Sequence, residues 1–341
     1  MKILILGGTR FLGRAFVEEA LKRGHEVTLF NRGTNSEIFP EVERLIGDRN
    51  GNVSSLANRK WDTVIDTCGF SPHHIKNVGE VLKDNVKQYI FISSLSVYKD
   101  WIPHHIKEGY TLQPELPSDQ VKAVENGEIS PYEHYGALKV LCEKEAEKYW
   151  PNRVLHIRAG LLSRMFDYTD RLPYWIQRVE KSGKVLVPGR KERPVQLVDI
   201  KDVASFGLNM AENNKAGTFN VTGPNYELTM EELLNTCKKV TNSEAEFVWA
   251  DESFMNEHKV QPWTEMPLWL PETFPLEGET EPWKGGFSVN IENAMNAGLA
   301  FRPLKDTVYD VHEWMKGMNV VELKAGISDE REKELLEKWN L

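Results

Sequence analysis

The sequence predicts an α/β protein: a doubly wound parallel sheet with helices on both faces, joined to a smaller unit of mixed structure. Three observations lead there. Apolar, strand-like runs alternate with amphipathic, helix-like runs through the first half of the chain; the first run ends in the glycine-rich "GGTRFLG"; and the alternation loosens after residue 160. Strands separated by helices pair in parallel, because a crossover of that length carries the chain back to the same end of the sheet.

The elements follow in order. "KILILGG" reads as a buried first strand and "FLGRAFVEEALKRG" as an amphipathic helix closed by Gly24. "HEVTLFNRG" is the second strand, and "WDTVIDTCG" and "VKQYIFISS" are two more, separated by the helix "SPHHIKNVGEVLKDN". "HYGALKVLCEKEAEKYW" is a long helix stopped by Pro151, and "RVLHIRAGLL" is the next strand. Beyond it "DRLPYWIQRVEKSG" is helical, and "RPVQLVDIKDVASFGLNMAEN" is a short strand and then a helix with Asp202 as its cap. "GTFNVTG" is a further strand of the sheet, and in "TMEELLNTCKKV" Thr229 and Glu232 make a capping box. Residues 261–286, rich in proline and tryptophan, read as an irregular lid, binding loop or linker, and "SDEREKELLEKW" as a charged helix.

A chain of 341 residues holds one large unit or two of ordinary size. A hydrophobic content of 40% and a charged content of 27% describe a water-soluble globular protein. The net charge of −9 repels polyphosphate and disfavours a nucleic-acid partner. Cys68, Cys142 and Cys237 lie far apart and form neither a disulfide frame nor a metal cluster. No apolar run reaches about 18 residues and no leader pattern precedes the first strand, so a cytoplasmic location without a membrane partner is expected.

The chemistry is concentrated in two places. Gly7 lets the chain turn out of the first strand, and Gly13 lets the following helix pack closely on the sheet. The amides of Gly7, Gly8, Thr9, Arg10, Phe11, Leu12 and Gly13 then face a pyrophosphate at the helix's positive end. Enzymes preferring NAD place a carboxylate at the end of the second strand, but here Asn31 and Arg32 stand there. A guanidinium matches a phosphate in charge and shape, so Arg10 and Arg32 are expected to grip NADP, with NAD as the second choice. The other place is "PYEHYGALK". Tyr135 and Lys139 are four apart on one helical face, where an ammonium favours the phenolate for proton exchange with a substrate hydroxyl or carbonyl. Hydroxyls in the preceding "FISSLSVY" lie at the end of a buried strand and could hold the same substrate oxygen.

With these motifs in this order, the chain resembles the extended branch of the short-chain dehydrogenase/reductase superfamily, the nucleotide-sugar epimerases and dehydratases on a Rossmann fold. "GGTRFLG", "DTCGFSP" and "PVQLVDIKDVA" resemble an atypical subgroup, variously labelled isoflavone-reductase-like or chloroplast stem-loop-binding-like. The resemblance covers residues 1 to 225 well and the rest loosely. It implies that Tyr135 is the acid/base, Lys139 its partner and a ligand of the nicotinamide ribose, and Ser94 the hydroxyl that holds the substrate oxygen. Ser93 and Ser96 become packing or secondary hydrogen-bonding residues. Asp48 matches an aspartate near the adenine, with a turn-former as the competing reading, and Cys68 and Gly69 pass beside the cofactor. The resemblance also implies a homodimer.

Two departures limit the reaction. Dehydratases of this family carry an Asp-Glu pair where this chain has Leu95 and Ser96, so dehydration by that route is not expected. Epimerases carry an arginine that clamps the substrate diphosphate and a histidine where this chain has Val195 and Asp199; Arg190 and Arg193 are nearby candidates to replace the arginine. Trp263, Trp269 and Trp283 either stack on a substrate or staple their segment to the core. His73, His74, His104 and His105 read as polar loop residues, with no metal site expected.

These readings divide the chain into a dinucleotide-binding unit, residues 1–160 plus 195–224, and a substrate-binding unit, residues 161–194 plus 225–341. The expected function is an NAD(P)-dependent oxidoreductase or epimerase acting on a secondary alcohol or carbonyl of a small molecule, a sugar or sugar nucleotide among the candidates. The alternative is a cofactor-binding regulatory or RNA-associated protein of the same fold.

Overall fold

The computed structural model describes residues 1–318 and 323–339. Its first half is regular: β1 (Lys2–Leu6), α1 (Phe11–Lys22), β2 (Glu26–Asn31), β3 (Glu43–Ile46), β4 (Trp61–Asp66), α2 (Pro72–Leu82), β5 (Val86–Ser94), α3 (Ser118–Glu125), α4 (Tyr135–Tyr149) and β6 (Val154–Ala159). Then come β7 (Leu162–Ser163), α5 (Arg171–Glu180), β8 (Lys184–Pro188), β9 (Val198–Asp199), α6 (Ile200–Glu212), β10 (Gly217–Val221), α7 (Met230–Thr241) and β11 (Glu246–Ala250). The chain closes with α8 (Glu252–Glu257), α9 (Glu292–Asn296), α10 (Leu304–Gly317) and α11 (Asp329–Trp339).

Seven strands form one parallel sheet in the order β3-β2-β1-β4-β5-β6-β10. The order reverses at β1 and β4, where Leu6 stands opposite Asp66. A crevice opens beyond the carboxyl ends of such a pair, and it is the expected ligand position. The central strands are apolar on both sides, as a sheet covered twice requires. Ile3 and Ile5 pack with Phe16 of α1 and Phe206 of α6 on one face, while Leu4 and Leu6 join Val78 of α2 and Ala146 of α4 on the other.

A second core lies outside the sheet. It gathers Trp175 of α5, Leu233 of α7, Val308 and Val311 of α10, Leu335 of α11 and the short parallel pair β8–β11, with Trp269 fully buried among them. The capping box at Thr229 and Glu232 is present, and Gly24 closes α1 at φ +75°. Asp202 is not the cap of α6. Asp199 is, accepting from the Lys201 amide at 2.8 Å, while Asp202 sits in the first turn and binds Arg302. The strand expected before α6 shrinks to Val198–Asp199, pairing only with β7. The charged helix α11 has one buried face, where Glu332 accepts from Arg178 Nε and the Leu186 amide. His73 and His74 lie in the first turn of α2 rather than in a loop, and both contact Asn50. Among the described residues, no helix is long and apolar enough to cross a membrane.

Candidate active site

β1 delivers the chain to Gly7 and Gly8, whose φ values of +100° and +86° lie in the region that favours glycine. A Cβ at Gly8 would stand 2.6 Å from Leu29 Cδ2, and one at Gly13 only 3.0 Å from the Cα and N of Gly8. The turn therefore has no room for side chains and presents backbone. Arg10 is the N-cap of α1 in extended conformation; no side chain caps this helix and no acidic residue lies in its first turn. The amides there, with the positive end of the helix dipole, suit a pyrophosphate. Phe11 is held at φ +32°, a strained value for a residue with a side chain, by burial and by edge-on contact with Tyr168 at 6.2 Å. Thr9 Oγ1 accepts from Asn35, and Leu12 is buried beneath the turn.

The end of β2 is tied to this turn. Asn31 Nδ2 donates to Gly7 O at 3.0 Å, and Asn31 Oδ1 accepts from the Gly33 amide and Arg44, so this side chain braces the glycine turn. Arg10 and Arg32 are both exposed and, among the described residues, their guanidinium groups have no hydrogen bond or ion pair. Asp48 takes its Oδ1 to the Asn50 amide at 2.9 Å, making a turn.

Its neighbour Arg49 does what the sequence reading missed. It reaches across to the end of β4 and holds Asp66 with two bonds of 2.7 and 2.6 Å, while Tyr89 donates to the same carboxylate at 2.5 Å. Burial alone would push the Asp66 carboxyl up; the guanidinium and its hydrogen bonds override that and hold it at about 2. Cys68 Sγ lies 3.2 Å from Arg49 Nη1, and burial pushes its thiol up, so it is a poor nucleophile. Only distance in sequence hid this pair: an arginine and an aspartate 17 residues apart carry no periodic signal.

Lys139 is buried in α4 and donates to Gly69 O and Ile92 O, each at 2.8 Å. Its ammonium lies 5.7 Å from the centre of the Tyr135 ring and has one proton left to give. Ser94 ends β5; its Oγ accepts from the Ser96 amide and contacts Ser96 Oγ, both at 3.1 Å. Ser93 points the other way and donates to Glu143, itself doubly bonded to Arg158. Tyr135 is half-buried, packs against Phe70 and Tyr132, and its hydroxyl has no partner among the described residues. It opens on a cavity of about 590 Å³ that Ser96, Asp100, Trp101, Tyr132 and Trp283 also line.

The candidates for a diphosphate clamp are otherwise occupied. Val195 is buried, Arg190 is paired with Glu272 at 2.8 Å, and Arg193 is sealed in, donating to Leu268 O. Asp199 lies in an ionic hub: it accepts from Arg164 at 2.6 Å and Thr307 at 2.7 Å, with Arg302 at 3.5 Å. The three tryptophans divide. Trp269 is a staple, its indole donating to buried Glu252, whereas Trp283 lines the cavity against Trp101 and Trp263 lies beneath Arg171.

An uncapped helix end over a glycine turn, beside a tyrosine–lysine helix at the reversal of a parallel sheet, defines a dinucleotide-dependent class of protein. The chain belongs to the NAD dependent epimerase/dehydratase family, whose model matches residues 3–222. It is 28% identical over 260 residues to the chloroplast stem-loop binding protein of 41 kDa b of Arabidopsis thaliana, covering 70% of this chain and 62% of that protein. It is 26% identical over 279 residues to a UDP-glucose 4-epimerase of Lactobacillus helveticus, covering 71% of this chain and 82% of the enzyme. The fold matches a UDP-N-acetylglucosamine 4-epimerase from Bacillus cereus with a TM-score of 0.66 at 16% identity, over 94% of this chain and 99% of the other.

Proposed function

We propose that the protein is an NADP-preferring oxidoreductase or epimerase that acts on a secondary alcohol or its ketone through Tyr135, Lys139 and Ser94. The observation that carries this reading is Tyr135, a cavity-wall residue whose hydroxyl has no partner among the described residues, with the Lys139 ammonium 5.7 Å from its ring. Residues 1–160 with 195–224 form the dinucleotide-binding unit, and the remainder surrounds the substrate.

The glycine turn holds the pyrophosphate on backbone amides, and the Arg10 and Arg32 guanidinium groups, without partners among the described residues, take the phosphate that distinguishes NADP. The dinucleotide, when bound, supplies the acceptor and donor of hydride. Lys139, fixed by two carbonyls, holds its ammonium beside the Tyr135 ring with one N–H free to donate to a bound ligand. Ser94 Oγ holds the substrate oxygen, and Tyr135 takes its proton as the alcohol becomes a ketone and returns it in reverse. A secondary alcohol that is re-formed on the opposite face is epimerised; one that leaves as ketone is oxidised. With Leu95 buried in the core, no carboxylic acid follows Ser94 to protonate a leaving water, which supports redox or epimerase chemistry over dehydration.

The test is Tyr135→Phe. Turnover is expected to fall by about 10²-fold or more, the size of a general acid–base contribution, while NADPH affinity read by nicotinamide fluorescence stays within twofold. Arg10→Ala combined with Arg32→Ala is expected to weaken NADPH about tenfold or more and leave NADH unchanged. A second reading, an RNA-associated protein, is favoured by the name of the plant relative. It predicts salt-dependent RNA binding that Tyr135→Phe leaves intact, with no turnover in either form.

A further inference from the structure

Among the arginines packed into the protein, Arg49 is matched by Asp66, Arg158 by Glu143, Arg164 by Asp199 and Arg178 by Glu332, while fully buried Arg193 donates only to Leu268 O. Half-buried Arg171, at the start of α5, also has no carboxylate partner among the described residues, but its guanidinium is not sealed in. Among the described residues its single hydrogen bond is from Nε to Thr169 Oγ1 at 2.9 Å, and neither Nη atom has a partner. The nearest acidic group, Asp167, is used indirectly. Thr169 donates to Asp167 Oδ1 at 2.5 Å while accepting from Arg171, so the threonine fixes the Nε edge of the guanidinium and leaves the other edge open. The group lies over the Trp263 ring at 5.3 Å, which holds its plane from one side.

Its neighbours link it to the glycine turn and to the charge field around Tyr135. The Arg171 charge is within electrostatic reach of the Tyr135 and Tyr168 phenols, and Tyr168 packs against Phe11 of the cofactor turn. Burial depresses the guanidinium's pKa, and it also raises that of Asp167, so local neutralisation is weak. The Nη atoms are not sealed from solvent, unlike Nε and Nη2 of Arg193, which are buried without partners. A planar cation with both NH2 groups open, braced at Nε and on one face, is the geometry that receives an oxyanion in bidentate fashion.

We propose that Arg171 recognises an oxyanion, a carboxylate or phosphate monoester, carried on the reacting part of the substrate beside the carbon that Tyr135 serves. This rests on the Tyr135 reading and narrows it: the substrate is an acidic hydroxylated compound, and its charge is read near the chemistry. A clamp on a remote diphosphate is not the source, since Val195, Arg190 and Arg193 leave none in place.

The experiment measures binding to the cofactor-saturated protein by calorimetry at constant ionic strength, so turnover is not needed. The probes are D-glucose, D-glucuronate and D-glucose 6-phosphate, then UDP-glucose and UDP-glucuronate. The expected result is that an anionic member of a set binds at least tenfold more tightly than its neutral counterpart, the carboxylate or the phosphate arm identifying the group. Arg171→Gln erases that preference with cofactor affinity unchanged. Arg171→Lys, which keeps the charge without the fork, retains part of it and serves if the glutamine variant does not fold. Equal binding within each set, no binding of any probe, or a preference that survives both variants overturns the proposal; so does an equal loss of the two UDP-sugars, which would mean that Arg171 reads the diphosphate. Tyr135→Phe keeps the preference while losing turnover. If that variant turns over normally, the Tyr135 reading fails and the oxyanion result stands separately.

Discussion

The sheet region and the second core are built by different means. In the sheet, β1, β4, β5 and β6 lie side by side on apolar faces, and the buried Arg49–Asp66 pair sits at the strand ends. In the second core and along its seam with the sheet, elements far apart in sequence are joined by charge. Asp199 gathers Arg164, Arg302 and Thr307; Glu332 of α11 holds Arg178 of α5; and Glu252 accepts from Trp269, Glu272 and Thr273. The sheet's strands are specified by pattern, whereas its buried pairs Arg49–Asp66 and Arg158–Glu143, like the contacts of the second core, are specified by partners. A reader of sequence meets the pattern and not the partners.

The contrast can be broken most directly at Asp199. Asp199→Ala takes one carboxylate from buried Arg164, which keeps Asp310, and from half-buried Arg302, which keeps Asp202, and it removes the cap of α6; the expected loss is about 3 kcal/mol. Urea unfolding followed by tryptophan fluorescence checks it, and the second core, with Trp175 and Trp269 inside, is expected to melt before the sheet. A single transition shifted by under about 1 kcal/mol would show that the hub is dispensable.

Asp66→Asn tests the sheet side, with an expected loss of about 3 kcal/mol and one cooperative transition. Here pH adds a sharper measure. The folded pKa of about 2 lies below the usual 3.8, so the carboxylate's contribution is complete above about pH 4 and is lost as pH falls towards 2. The window corresponds to roughly 2 kcal/mol. The gap between wild type and Asp66→Asn should therefore narrow by about that much between pH 6 and pH 2.5; a constant gap would rule out this titration.

The smallest effect is expected where structure is local. Thr229→Ala removes the capping box of α7 and should cost about 1 kcal/mol by thermal unfolding, although α7 lies in the second core. Legibility follows the same line. The capping box, the Gly7–Gly13 turn and the Tyr135–Lys139 spacing were readable because their partners are a few residues away. Asp202 was taken for a cap because it resembles one; Asp199, three residues earlier, is the true cap. Arg49 was passed over for Asp48, since a turn former is a local signal and a buried pair with Asp66 is not. Arg171 carries no sequence signal for a further reason: what distinguishes it is a guanidinium braced by Thr169 and Trp263 with its far end open, a product of folding alone.

Lys139 has a consequence of its own. Because its ammonium fastens the backbone after β4 to that of β5, it works as a rivet as well as a chemical group. A descendant that abandoned chemistry would still need it to keep those two strand ends together. Among the described residues, Tyr135 fastens nothing by its hydroxyl. On the proposed mechanism, the survival of the phenol, rather than of the amine, is therefore what would mark a working enzyme among descendants of this fold.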